Sequence, residues 1–522
     1  MGRVWRRASA VASSPLARLR AVRVAALTLL AGLALSGCSL TGSGASAQKP
    51  SRPNALLIVF DEFGGDTLLG PDGRIDAGRY PHFAALARDG TWFRNAHTSY
   101  DSTTKAVPLI FDGMAPRPGM SPIARDHPRS LFTALGRRHY RIVASEEATA
   151  MCPRRYCRSE GAKRPAIIPN LKAGRAERFE RFIRSIRARR RPTLWVKHAL
   201  LPHGPWVYLP SGLLERPLGP ELLPGMQTIP GFYDTYLRHH NEQRQLLQLG
   251  FADRMLGRAI ARLKSQGVYD DTLIVVTADH GFAWKVGVDT RRSVDASNVD
   301  ELGPVPLIVK RPGQHRPRVS PALARTLDVT PTISDVLNIP LGYRADGRSA
   351  FGRAVRARRT VRIVKRDFSS VVSMPASTWR ARRAAVVRRR LRELGSGDWP
   401  SLFTAYGPHR DLIGQRVDDV RGASGARATL SLSRSFARVS RADGVVPCQI
   451  AGRISGSGPN SERDIAVAVN GRIEAVGRSF HLRGESVESY AVMVPEESLR
   501  DGRNTVEVLE PSAGGFRLLA SS

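Results

Sequence analysis

At 522 residues the chain exceeds one ordinary domain and can bury a large core, so a main domain with an accessory module is the expected partition. Its 80 Lys and Arg against 46 Asp and Glu leave a formal charge of +34, which invites a nucleic-acid reading. The cations are nearly all Arg, are spread along the chain and belong to no recognisable nucleic-acid module, so that class is set aside in favour of anionic lipid headgroups or envelope polymers.

Arg3, Arg6, Arg7, Arg18, Arg20 and Arg23 precede the apolar run Val24 to Leu35, which is short for a membrane span and has the form of an export signal. The run ends in Leu35-Ser-Gly-Cys38, which resembles a bacterial lipobox and makes Cys38 the lipidation candidate; a cleaved signal and an uncleaved anchor are the alternatives. Residues 39–52 read as a polar tether. All three options place the remainder outside the cytoplasmic membrane.

Asn54-Ala-Leu-Leu-Ile-Val-Phe60 is a near-continuous apolar run of the kind that forms a central parallel strand, and it ends in Asp61. Asp101 to Gly113 opens with the hydroxyls Ser102, Thr103 and Thr104, and the Pro that follows is read as the first turn of a helix. A hydroxyl at a helix N-terminus beside a divalent cation can ionise near neutral pH, and the amide dipoles favour an anionic substrate. Cys152 and Cys157 are spaced to close a small disulfide loop, and two cysteines alone are too few for a structural zinc; Cys448 is left as a buried apolar residue.

A second apolar run, Thr272 to Thr277, leads into Asp279-His280-Gly281. Ligands in open α/β sheets gather beyond the carboxyl ends of strands, so two such strands ending in Asp61 and in Asp279-His280 point to one metal site. Carboxylates alone suit Mg²⁺ or Ca²⁺, and the imidazole shifts the preference toward Mn²⁺ or Zn²⁺. Lys285, Arg291 and Arg292 follow the turn and are candidates to clamp oxyanions. Residues 353–416 read as an Arg-rich helical linker. Residues 417–522 read as a small antiparallel β-sandwich-like module, with segments such as Ala428 to Ser433, Asp464 to Val469 and Thr505 to Leu509 punctuated by Asn470-Gly471 and Asp501-Gly502.

The order of these motifs resembles the alkaline phosphatase superfamily, in its sulfatase-like branch that includes lipoteichoic-acid-synthase-type phosphotransferases. The likeness runs from about residue 53 to 350 and adds Tyr80 to Asn95, Leu201-Pro-His-Gly-Pro205, Val305 to Val309, Asp328-Val-Thr-Pro-Thr332 and Asp346-Gly-Arg-Ser349. It implies an α/β fold, a mostly parallel sheet flanked by helices, over residues 53–352. By position it implies Thr103 as nucleophile, with Thr104 as the alternative, and Asp61, Thr103, Asp279 and His280 around one cation with Glu62 as a further ligand. His203 would contact the substrate or protonate the leaving oxygen.

Three departures from the family pattern bear on the chemistry. Thr-Thr-Lys-Ala-Val-Pro replaces the Cys-x-Pro-Ser-Arg context, which rules out formylglycine at that position. Asp279-His280 stands where sulfatases usually carry Asp-Asn, which favours a phosphoester. Asp253-Arg-Met-Leu-Gly257 has Gly where two-metal relatives carry His, which favours one metal. The expectation is therefore a phosphoester hydrolase or phosphotransferase working through a phospho-threonine. The alternatives are a sulfuric ester hydrolase without formylglycine, or a non-catalytic surface protein that keeps the fold.

Overall fold

The structure is a computed structural model that describes residues 52–157, 167–216, 234–287, 292–417, 420–423, 425–456, 458, 461–482, 485–513 and 515–522. The expected signal, Cys38 and all of the tether but Arg52 lie outside the described residues. Strands β1 (Asn54–Asp61), β2 (Thr91–Phe93), β3 (Arg141–Ser145), β4 (Thr193–Pro202), β5 (Thr272–Ala278), β6 (Leu307–Lys310) and β7 (Arg318–Ser320) form one sheet in the order β3-β4-β1-β5-β6-β2-β7. Neighbouring strands run parallel except at the two contacts of β6, with β5 and with β2.

Every residue of β1, β4 and β5 is buried, because helices cover both faces; this is why those runs are apolar without alternation. β1 lies between β4 and β5, with Val59 opposite His198 on one side and Thr277 on the other. That register brings the ends of the three strands together at one edge.

The helix carrying the hydroxyl cluster spans Thr103–Asp112, so it begins before its proline: contrary to the first-turn reading, Pro108 lies inside the helix and does not open it. The first turn closes through the amide of Ala106 on the Ser102 carbonyl (2.8 Å), and Pro108 forfeits only the bond to the Thr104 carbonyl. Gly113 caps the helix in the left-handed region (φ 68°).

The stretch read as a helical linker departs from that reading. It holds an antiparallel hairpin, Thr360–Val364 with Val371–Pro375, and the helix Ala376–Leu394. That helix is anchored: Arg383 pairs with Asp66 (2.6 Å) and donates to the Asn95 side chain (3.1 Å), while Arg390 donates to the Asp66 and Leu69 carbonyls.

Residues 420–521 form two further sheets. One, of five strands, contains the hairpin Asp464–Val469/Arg472–Arg478, turned by Asn470 (φ 53°) and Gly471 (φ 77°) as the Asn-Gly signal predicts. The other, of four strands, contains Gln449–Ser455 and Glu488–Met493. The expected strand Ala428 to Ser433 is reduced to Arg427–Ala428, because Leu432 turns left-handed (φ 59°) into the short helix Ser433–Phe436. The two sheets share a core with Tyr236, Leu237, Leu246 and Leu247 of the long helix Thr235–Ser265, and Cys448 is buried in it. Cys152 and Cys157 form a disulfide.

Glu147, just beyond β3, is buried and pairs with the fully buried Lys197 of β4; it also accepts from Arg178 (3.2 Å) and the Leu200 amide (3.2 Å). Burial pushes its carboxyl up, but Lys197 and Arg178 outweigh this and hold it below the usual 4.5. Its contribution to stability is thus present above 4.5 and lost as pH falls through the lowered value. Glu147→Ala strands the Lys197 ammonium and should cost about 3–5 kcal/mol in chemical denaturation at neutral pH. A loss under about 1 kcal/mol would show the pair to be energetically idle.

Candidate active site at the carboxyl ends of β1 and β5

Asp61 and Asp279, each fully buried, lie at the carboxyl ends of adjacent parallel strands. The chain reverses sharply after Asp61: Glu62 is left-handed (φ 54°), and its amide donates to Asp279 Oδ1 (3.2 Å). Asp279 in turn receives the His280 amide (2.7 Å), and its carbonyl accepts from Thr98 Oγ1 (2.6 Å). Gly281 is required by close approach, since a Cβ there would lie 2.6 Å from the Glu301 carbonyl oxygen.

One ligand atom each from Asp61, Asp279 and His280 falls within 4.8 Å of the others. His280 Nδ1 donates to the Gly281 carbonyl (2.9 Å), which makes Nε2, 3.5 Å from Asp279 Oδ2, the nitrogen that would be free to bind a cation once deprotonated. Thr103, the first residue of its helix, sets Oγ1 3.4 Å from Asp61 Oδ1 and 3.4 Å from His280 Nε2. Thr104 makes neither contact.

The second oxygens of Asp61 and Asp279 are buried without a hydrogen bond among the described residues. Burial raises both carboxyls, and Asp279, further raised by the Asp61 charge, reaches about 7. Burial lowers His280, but Asp279, Asp61 and Glu62 outweigh it and leave it raised. Buried anions crowded this way are relieved by a cation, and the mixed carboxylate, imidazole and hydroxyl donors fit one.

His203 is buried opposite this group; its Nδ1 lies 2.5 Å from the Gly204 carbonyl and its Nε2 3.4 Å from Glu62 Oε1. Arg292 Nε reaches the same Glu62 oxygen at 2.5 Å and its Nη2 lies 3.5 Å from His203 Nε2. Burial lowers His203, with Glu62 and Asp61 opposing. Lys285 does not join the cluster: it is exposed and donates to the Ser297 carbonyl (3.3 Å). Arg291 lies outside the described residues.

Asp253 is turned away to another task, since its carboxylate caps the helix Pro81–Arg88 by accepting from the amides of His82 and Phe83 (3.1 and 2.7 Å). Gly257 leaves room for the His82 ring, 2.5 Å from where a Cβ would stand.

One site residue escaped the sequence reading. His198 of β4 is fully buried with Nε2 3.4 Å from Asp61 Oδ2, and among the described residues neither ring nitrogen has a hydrogen bond. The signal was available: Lys197-His198 interrupts an otherwise apolar strand, and a polar pair in a fully covered strand needs a reason.

The sulfatase family model matches residues 53–339. Over 99 residues, 19% of each chain, this protein is 34% identical to the multifunctional alkaline phosphatase superfamily protein PehA of Trinickia caryophylli. Over 97 residues, 19% of this chain and 17% of the relative, it is 29% identical to arylsulfatase K of Bos taurus. The matches thus span under a fifth of the length of these curated relatives. Among solved structures, the phosphonate monoester hydrolase SpPMH from Silicibacter pomeroyi aligns with a TM-score of 0.42 and 19% identity over 60% of this chain and 79% of its own. The 2-O GAG sulfatase BT1596 aligns with 0.44 and 16% over 60% and 77%.

Because Asp279 titrates near 7 in the folded chain against 3.8 for an ordinary Asp, the folded state holds the extra proton between those values. Stability of the chelator-treated protein should therefore fall as pH rises from about 4 to 7, and added Mn²⁺ or Zn²⁺ should flatten that slope. Thermal melts across this window test it; a profile indifferent to both pH and cation would contradict the site.

Proposed function

This chain belongs to the sulfatase family of the alkaline phosphatase superfamily, and on that premise we propose that it is a metal-dependent hydrolase or phosphotransferase that acts on a phosphoester through Thr103. The observation that carries the reading is the Thr103 hydroxyl at a helix N-terminus, 3.4 Å from both Asp61 Oδ1 and His280 Nε2. Thr keeps its own hydroxyl where the family's formylglycine chemistry needs Cys or Ser, so attack comes from Oγ1 itself.

Asp61, Asp279, His280 and Thr103 would hold one divalent cation, with Glu62 beside them; when bound, it would supply the positive charge that eases ionisation of a hydroxyl and neutralises ester oxygens. Thr103 Oγ1 loses its proton along its contact with Asp61 and forms a bond to phosphorus as the bond to the leaving oxygen breaks. His203, beside Glu62 and with burial favouring its neutral ring, is placed to meet the leaving oxygen and protonates it through the imidazolium fraction, which grows as pH falls. Arg292, held by Glu62 at the rim, is placed to meet the ester's anionic oxygens. Water or a polyol hydroxyl then displaces Thr103 from phosphorus, which makes the protein a hydrolase or a transferase respectively.

A sulfate ester is the second reading, and the match to arylsulfatase K favours it. The export signal, the Cys38 lipobox and the Cys152–Cys157 disulfide support a location outside the cytoplasmic membrane, with envelope polymers or lipid headgroups as substrates.

Turnover of an aryl phosphate monoester, a phosphodiester and an aryl sulfate, measured side by side, tests the reading. Phosphoester turnover should dominate, Thr103→Ala should lower kcat by about 10³-fold or more, and Thr104→Ala should stay within about threefold of wild type. Dominant sulfate turnover would move the assignment to the second reading, and a fully active Thr103→Ala would remove the nucleophile.

A further inference from the structure

One cavity lies away from the active site. It is a cleft of about 920 Å³ between one face of the helix Ala376–Leu394 and the loops that follow β1, β2 and β7, and none of Asp61, Glu62, Thr103, Asp279 or His280 lines it. The helix contributes positions 380, 383, 384, 387, 388 and 391, a spacing that keeps one face on the cleft.

Five exposed arginines border this space: Arg94, Arg356, Arg359, Arg380 and Arg388. Its single carboxylate, Asp66, is already bound to the buried Arg383. The others have no acid of their own. Arg356 and Arg359 donate to main-chain carbonyls, Arg94 lies over the Trp92 ring, and Arg380 and Arg388 have neither hydrogen bond nor ion pair among the described residues. Guanidinium groups gathered without counter-charges repel one another, and each keeps free donors in the fork geometry that suits phosphate and sulfate. Between them, Leu69, Leu323, Val387 and Leu391 provide apolar walls.

We infer that this cleft is an accessory binding site for an oligoanion carrying two or more phosphate or sulfate groups in a chain. A discrete chain segment is favoured over a membrane surface because the arginines converge on a concave space of ligand size, whereas a bilayer would need them on an open face. The inference stands on the cleft alone and does not depend on which ester Thr103 attacks. Together with the active site it would let the protein hold a polymeric anion at a second point, raising the local concentration of reactive units.

The test uses inorganic tripolyphosphate as probe, with binding to the full chain followed by calorimetry at two salt concentrations. The comparison is between wild type, Arg380→Ala/Arg388→Ala, and the control Arg434→Ala/Arg438→Ala, which removes the same charge from two exposed positions in and just after the short helix Ser433–Phe436. The cleft pair should weaken binding by about tenfold or more and flatten its salt dependence, while the control pair changes it by less than about twofold. Turnover of a small aryl ester should be unchanged in the cleft pair, which separates this site from the catalytic one. Unchanged tripolyphosphate binding in the cleft pair would overturn the inference, as would an equal loss in the control pair. Loss of binding to phosphatidylglycerol vesicles with tripolyphosphate binding intact would overturn it in favour of a membrane-facing role.

Discussion

The constraint on which the structure turns is the burial of Asp61 and Asp279 side by side at the ends of β1 and β5, with Glu62 folded back against them. Left alone, such an arrangement repels itself and forces protons onto carboxyls that would be ionised in water. A cation held between the carboxylates would relieve that repulsion. The surrounding groups suit a cation: His280 turns Nε2 to the acids because its Nδ1 is engaged by the Gly281 carbonyl, and Thr103 arrives at the start of a helix with its hydroxyl near both Asp61 and His280.

The rest of the molecule braces this point from behind. Gly281 bonds to the Leu302 carbonyl (2.8 Å), so the Asp-His-Gly turn rests on the short helix Val299–Leu302. That helix is itself gripped by the helix Ala376–Leu394: Trp379 Nε1 donates to the Val299 carbonyl (3.2 Å), Arg382 pairs with Asp300 and Arg389 with Glu301 (3.0 Å). Glu301 also accepts from the Trp284 amide (2.6 Å), three residues after Gly281. The arginine-dense helix is thus part of the scaffold of the site. On its cleft-facing side it offers the unneutralised charge from which the accessory site is inferred.

Much of this was legible because the informative residues are local in sequence. Asn54 to Asp61 and Thr272 to Ala278 are strands whose apolar monotony follows from burial on both faces, and Asn470-Gly471 turns a hairpin because both residues must adopt positive φ. What was not legible depends on distant partners. Arg383 and Asp66 are 317 residues apart, so composition reveals a basic helix but not that its arginines are bound. His198 meets Asp61 only through the register of β1 and β4. Lys285 fell near the motif in sequence yet points to Ser297, since adjacency along a loop does not set direction. Pro108 misplaced the helix start because proline is tolerated one turn in when only a single amide bond is forfeited.

The central claim is that the buried acids and His280 form a cation site, and metal content tests it most directly. Elemental analysis of wild type and Asp279→Ala, each equilibrated with Mn²⁺, Zn²⁺, Mg²⁺ and Ca²⁺ and freed of excess, should find close to one equivalent of Mn²⁺ or Zn²⁺ in the first and little in the second. Retention of the same metal by Asp279→Ala, or no retained cation in a folded wild type, would contradict the account.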